Sequence, residues 1–137
     1  YRNNLGNLYL RLGQPEAAVV EYRVALQLDS NYTMGHYNLG QAFMRLQRFD
    51  EALTSLNEAK KQSPEDVEVN YFLGLLHART GDFASAAEAL AVAVVGRPAF
   101  LDARQKLAVA YLKTGRVEES KRELAAIQQM KEEGERR

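Results

Sequence analysis

Apolar residues recur at steps of three and four along most of the chain. Leu5, Tyr9 and Leu12 fall on one face, as do Ala18, Tyr22, Ala25 and Leu28. That spacing predicts amphipathic helices rather than strands. Short polar stretches interrupt the pattern at Gly13-Gln14-Pro15, Gln47-Arg48, Gly81-Asp82 and Gly115-Arg116. Glycine suits the end of a helix and proline the first turn of the next, and Asp82 is a candidate N-cap. The pattern therefore predicts antiparallel pairs of helices.

The pairs repeat with a period of 34 residues, so that Leu5-Gly6, Leu39-Gly40, Leu73-Gly74 and Leu107-Ala108 align. Tyr9, Phe43, His77 and Tyr111 follow in register, then Ala18, Ala52, Ala86 and Ser120, then Tyr22, Leu56, Leu90 and Leu124, then Ala25, Ala59, Ala93 and Ile127. Pro64 and Pro98 close the second and third units, where the first has Ser30. A fixed period of this length marks a repeat array. Gly6, Gly40 and Gly74 each give up about 1 kcal/mol of helix propensity relative to alanine. A sacrifice repeated at one register implies close packing of two helices at that point.

These residues resemble the tetratricopeptide repeat family, whose pattern W-x2-L-G-x2-Y, G, A-x3-F, A and P fills one repeat. The tryptophan slot departs from it, holding Arg2, His36, Asn70 and Arg104, and the fourth unit has lost its glycine, alanines and proline. The resemblance implies an all-α fold, an α-α superhelix (solenoid) of four helix hairpins with the last one degenerate. The units are expected at about 1–31, 32–65, 66–99 and 100–133 of a single array spanning 1–137, with 131–137 a frayed tail or linker.

Composition narrows the function. Eighteen basic and 18 acidic residues give zero formal net charge, against a general nucleic-acid or anionic-membrane binder. Absence of cysteine removes disulfides, thiolate catalysis and cysteine-zinc sites while fitting either redox compartment. No apolar run approaches the roughly 18 residues of a membrane span. The chain opens with Tyr1 inside an expected helix, as a processed or excised piece would.

No catalytic signature stands out, and the chain is expected not to be an enzyme and to need no cofactor. His36 and His77 occupy repeat slots and belong to no metal-ligand spacing. Gly35 and Gly40 have phosphate-loop spacing, but Gln41 stands where the lysine is required. Asn31-Tyr32-Thr33 matches a glycosylation sequon, a pattern common by chance.

Stacked helix pairs curl so that, in this family, the first helix of each unit lines a concave side that holds peptides or partner helices. Helical projection from the Leu-Gly pair assigns to that groove Asn3, Asn4, Asn7 and Arg11; Met34, Tyr37, Asn38, Gln41, Met44 and Arg45; Glu68, Tyr71, Phe72, Leu75 and Arg79; and Asp102, Gln105, Lys106, Val109 and Lys113. Arg11, Arg45, Arg79 and Lys113 form a basic row suited either to partner carboxylates or to the helix dipole. Asn4 and Asn38 begin a ladder of amides that Phe72 and Lys106 interrupt. Tyr37, Tyr71, Phe72, Met34 and Leu75 supply an apolar middle, suited to a binding hot spot or to packing between repeats. The subfamily that clamps chaperone C-terminal carboxylates is matched at Asn7 and Asn38, but Asn3, Glu68 and Phe72 replace its basic residues, which argues against that ligand.

A second candidate contact is convex. Residues 83–95 carry one charge, Glu88, and projection turns Ala84, Ala89, Ala91, Val92 and Val95 outward, a surface for a partner or a second copy. The expected function is non-catalytic binding of a peptide, loop or helix of another protein. The alternative is a structural arm of a larger assembly that contacts its neighbours by edges and convex face.

Overall fold

A computed structural model describes residues 2–29 and 33–136. Ser30 and the sequon residues Asn31 and Tyr32 lie outside the described residues. Among the described residues there are eight helices and no strand: α1 (Arg2–Arg11), α2 (Pro15–Leu28), α3 (Thr33–Arg45), α4 (Phe49–Gln62), α5 (Val67–Arg79), α6 (Phe83–Gly96), α7 (Leu101–Lys113) and α8 (Val117–Arg136). The all-α expectation holds. The chain divides into two compact units, Tyr1–Pro64 and Glu65–Arg137. Each contains two helical hairpins, α1–α2 with α3–α4 in the first and α5–α6 with α7–α8 in the second.

All four hairpins turn in the same way. The amides of Gln14, Arg48, Asp82 and Arg116 donate to the carbonyls of Tyr9, Phe43, His77 and Tyr111, and those of Gly13, Gln47, Gly81 and Gly115 donate three residues back. This is the Schellman pattern, in which the second-last link needs a left-handed residue. Gly13, Gly81 and Gly115 supply it with φ of 75°, 87° and 81°, while Gln47 is forced to 60°. The next helix then starts in one of three ways, α2 with Pro15 in its first turn and no side-chain cap. Asp82 accepts from the Ser85 amide at 3.1 Å, as an N-cap should. Arg48 and Arg116 instead clasp Glu51 and Glu119 at 2.6 and 2.8 Å and lay their guanidinium groups over Phe43 and Tyr111, 5.0 and 4.5 Å from the ring centres.

Packing inside the first three hairpins depends on the glycine slot. A Cβ placed on Gly6 would sit 2.5 Å from Tyr22 Cε1, one on Gly40 2.7 Å from Leu56 Cγ, and one on Gly74 2.5 Å from Leu90 Cγ. Tyr22, Leu56 and Leu90 are fully buried, beside Ala18, Ala52 and Ala86. In the fourth hairpin Ala108 occupies that slot, Leu124 turns outward, and Ser120 donates its hydroxyl to the Ala108 carbonyl at 2.8 Å. Ile127, larger than the alanines at its register, is buried. In the second unit the core joins Ala86, Ala87, Leu90 and Val94 of α6 to Ala103, Leu107 and Ala110 of α7.

Two features differ from expectation. Ala89 does not face outward: it is buried, because α6 is sandwiched between α5 and α7 and only Ala84, Glu88, Val95 and Gly96 of that helix remain well exposed. Val92 lies half-buried. Residues 131–136 are helical, a continuation of α8 supported by Gln128 and Gln129 donating to Glu132 and Glu133 one turn on.

Two stability measurements follow. Gly40→Leu forces Leu56 out of its notch and is expected to cost about 1–3 kcal/mol. Gly134→Ala, in open helical space, is expected to gain up to about 1 kcal/mol. Denaturant melts of both variants check the contrast, and equal effects contradict the notch. Gln47→Gly relieves a left-handed residue whose strain is of order 1–2 kcal/mol, so a higher thermal midpoint than wild type is expected; a lower one contradicts the strain.

Candidate partner-binding faces

In the first unit α1 and α3 lie side by side, joined by side-chain hydrogen bonds of Asn38 and Arg45. Asn38 is buried and donates its amide to Asn3 Oδ1 at 3.0 Å. The Arg45 guanidinium donates to the Leu10 carbonyl at 2.6 Å, an acceptor at the end of α1 that it shares with the Gly13 amide. Tyr22, from α2, donates its hydroxyl to Asn7 Oδ1 at 2.5 Å, and Gln41 donates to the Tyr37 hydroxyl at 3.2 Å. Asn4, Arg11 and Met34 are exposed. Asn4 and Asn38, which share a repeat slot, thus have opposite environments: Asn38 has α1 beside it.

In the second unit, α5 and α7 present two parallel rows in repeat register: Glu68, Phe72, Leu75 and Arg79 on one, Asp102, Lys106, Val109 and Lys113 on the other. Acidic residues stand at the helix starts and basic ones at the ends, with Phe72 and Leu75 between them on one row and Lys106 and Val109 on the other. The acidic end is internally compensated. The Tyr71 hydroxyl donates to Asp102 Oδ2, and the Lys106 ammonium bonds the same carboxylate at 2.9 Å. Glu68 pairs with Arg97 at 2.8 Å, and Arg97 covers the Phe100 ring at 5.1 Å. Tyr71 stacks against Phe100 with ring centres 4.6 Å apart and meets Phe72 edge-on at 5.4 Å. Phe72 and Leu75 are half-buried, Val109 and Arg79 exposed. The Lys113 ammonium lies 5.8 Å from the Phe83 ring centre.

Sequence projection missed Phe100 and Arg97, which lie on the connection between α6 and α7 rather than on a first helix. The signal available was an aromatic at the start of the fourth unit with an arginine three residues earlier.

The cluster perturbs titration. Burial, then the hydrogen bond to Asp102, then the negative charges of Asp102 and Glu68 push the Tyr71 phenol up to about 12. The hydrogen bond from Tyr71, followed by that from Lys106, holds the Asp102 carboxyl below its ordinary value. Raising the phenol means the folded state holds its proton longer, so this contribution is complete below pH about 10 and is lost as pH rises toward about 12. Lowering the carboxyl works in the opposite sense: its contribution is present above the ordinary carboxylate range and is lost as acid protonates Asp102. Alkaline absorbance titration of wild type minus Tyr71→Phe is expected to isolate a phenol near 12. Asp102→Asn is expected to bring it down, and an ordinary value in wild type contradicts the hydrogen bond.

Three models of tetratricopeptide repeats match the sequence, one described as TPR repeat over residues 6–47 and two as Tetratricopeptide repeat over 37–100 and 77–135. TPR repeat-containing protein MJ1428 of Methanocaldococcus jannaschii is 36% identical over 76 residues, covering 56% of this chain. The chain spans only 13% of that curated relative's length. Among solved structures, MamA superposes with a TM-score of 0.92 at 24% identity, over 99% of this chain and 80% of that one. YrrB, described as a TPR protein with an unusual peptide-binding site, superposes with a TM-score of 0.88 at 23% identity, over 94% of this chain and 66% of its own. These likenesses show the fold class, the α-α superhelix of helix hairpins. With the glycine notch, the repeated Schellman turn and the buried alanine slots all in one register, the chain belongs to the tetratricopeptide repeat family.

Proposed function

We propose that this chain is a non-catalytic protein-interaction module, and that the outer face of its first helices, the concave face in this family, holds a segment of another protein. The observation that carries this is the pair of rows on α5 and α7. Leu75 and Val109 stand at one repeat slot and Arg79 and Lys113 at another, one turn further along. An apolar strip ending in two cations suits a partner segment that supplies an apolar side chain followed by a carboxylate. In the first unit Met34, Asn4 and Arg11 supply the corresponding exposed contacts.

Membership of the family supports the reading, as does the description of YrrB as peptide-binding. Zero net charge favours a protein partner over nucleic acid. Among the described residues no group of three His, Asp or Glu side chains is placed to hold a metal ion, and no helix is long and apolar enough to cross a membrane. No cofactor is needed for the proposed activity.

Selection from a random-peptide display library tests the proposal. Enriched peptides are expected to carry an apolar residue followed by Asp or Glu. Val109→Asp is expected to lower their affinity at least tenfold, about 1.4 kcal/mol, with helix content unchanged. Equal binding by the folded variant counts against the face.

A further inference from the structure

The connection between α6 and α7 departs from its counterpart one repeat earlier, where Ser63 and Asp66 stand at the positions of Arg97 and Phe100. Asp66 caps α5 by accepting from the Val69 amide, whereas Phe100 leaves the start of α7 without a side-chain cap. Giving up a cap is unfavourable, and Phe100 uses the position to stack on Tyr71, with ring centres 4.6 Å apart. Asp102 is spent on Tyr71 and Lys106. Glu68 instead meets the Arg97 guanidinium at 2.8 Å, and the same guanidinium covers the Phe100 ring at 5.1 Å. A carboxylate and an aromatic face thus grip one planar cation, a combination suited to guanidinium. The cation they hold comes from the chain's own loop.

We infer that Glu68 and Phe100 form a subsite for an arginine side chain of the bound segment, and that Arg97 is its internal competitor. This rests on the reading that the first-helix face of this unit holds a partner segment. The Arg97–Glu68 pair is open to water, with side chains 50% and 43% exposed, so it adds little and exchanges readily. Exchange replaces one guanidinium by another and leaves the net charge of this end unchanged. A partner's arginine prevails over Arg97 when the same segment is anchored on Leu75 and Val109, because tethering raises its local concentration. Glu68 and Leu75 are seven residues apart, about 10 Å along the helix. An extended segment covers that distance in about three residues. The arginine accordingly stands about three residues before the apolar residue of the segment.

The subsite is tested without any partner. N-acetyl-arginine amide is titrated into wild type and into Arg97→Ala, with the Tyr71 and Phe100 ring resonances followed by NMR. The variant is expected to bind the amide about fivefold more tightly than wild type, the worth of one exposed ion pair and one cation–π contact. N-acetyl-citrulline amide, the uncharged isostere, is expected to leave the rings unshifted. Glu68→Gln in the Arg97→Ala background is expected to abolish the arginine response. Arg97 is exposed, and an unchanged backbone spectrum away from the loop verifies that the variants fold. No response in Arg97→Ala, or equal affinity in the two proteins, overturns the inference. A citrulline response matching that of arginine overturns it too, since the contact is then apolar packing alone. The titration uses no peptide, so its failure is distinct from a failure of Val109→Asp to weaken peptide binding.

Discussion

Two helices cannot approach closely where both carry side chains, and this chain solves the problem by omitting one at a single register. Gly6, Gly40 and Gly74 leave notches that Tyr22, Leu56 and Leu90 fill completely. Each glycine gives up about 1 kcal/mol of helix propensity. Each buried large side chain returns about 1.5–3 kcal/mol, so the exchange favours the notch. The partners are always 16 residues apart, and that separation fixes the length of the intervening turn. A Schellman link with one left-handed residue meets the requirement, and it recurs in all four hairpins, even where Gln47 must adopt the strained conformation.

The slot that normally holds tryptophan shows how the same junction is met by other chemistry. In the first hairpin Arg2 pairs with Glu21 at 2.9 Å, and in the fourth Arg104 pairs with Glu123 at 2.7 Å. Both pairs are 19 residues apart, so they occupy one register. At that register the middle hairpins have His36 with Ser55 and Asn70 with Ala89. The long arginine stem covers apolar surface as an aromatic ring does, while its head requires a carboxylate. Where the second residue is small, the first shrinks with it. The fourth hairpin combines this ion pair with a filled notch, and its stability shifts toward Ile127, the Ser120 hydroxyl bond and the Arg104–Glu123 pair.

The helices, the turns, the Asp82 cap and the notches were legible in the sequence because each is a local or strictly periodic feature. Periodicity shows which face of a helix is apolar and which residues share a slot. It does not show which neighbour lies beside a given face. Ala89 projects outward from its own hairpin, yet it is buried in a helix packed on two sides. Asn38 and Arg45 project toward a ligand, yet each bonds α1, to Asn3 and to the Leu10 carbonyl. Tyr71 and Lys106 likewise meet at Asp102. Polar residues on a first helix are claimed by the adjacent first helix before any partner arrives, and single-helix projection omits that competitor.

That competition shapes the candidate face. In the first unit the Asn38–Asn3 and Arg45–Leu10 bonds set the spacing of α1 and α3. In the second, Tyr71, Asp102 and Lys106 do the same for α5 and α7, with Phe100 stacked beneath. Side chains that look like ligand contacts therefore act as spacers, and they leave Leu75 half-buried and Val109 exposed between them. A face held in this way is ordered before binding, so a partner loses less conformational freedom in meeting it. Specificity then falls to the apolar strip in the middle of the face. The division of labour also explains why the acidic ends of the rows, though aligned by the repeat, offer little attraction. Glu68 and Asp102 are already neutralised by Arg97 and Lys106.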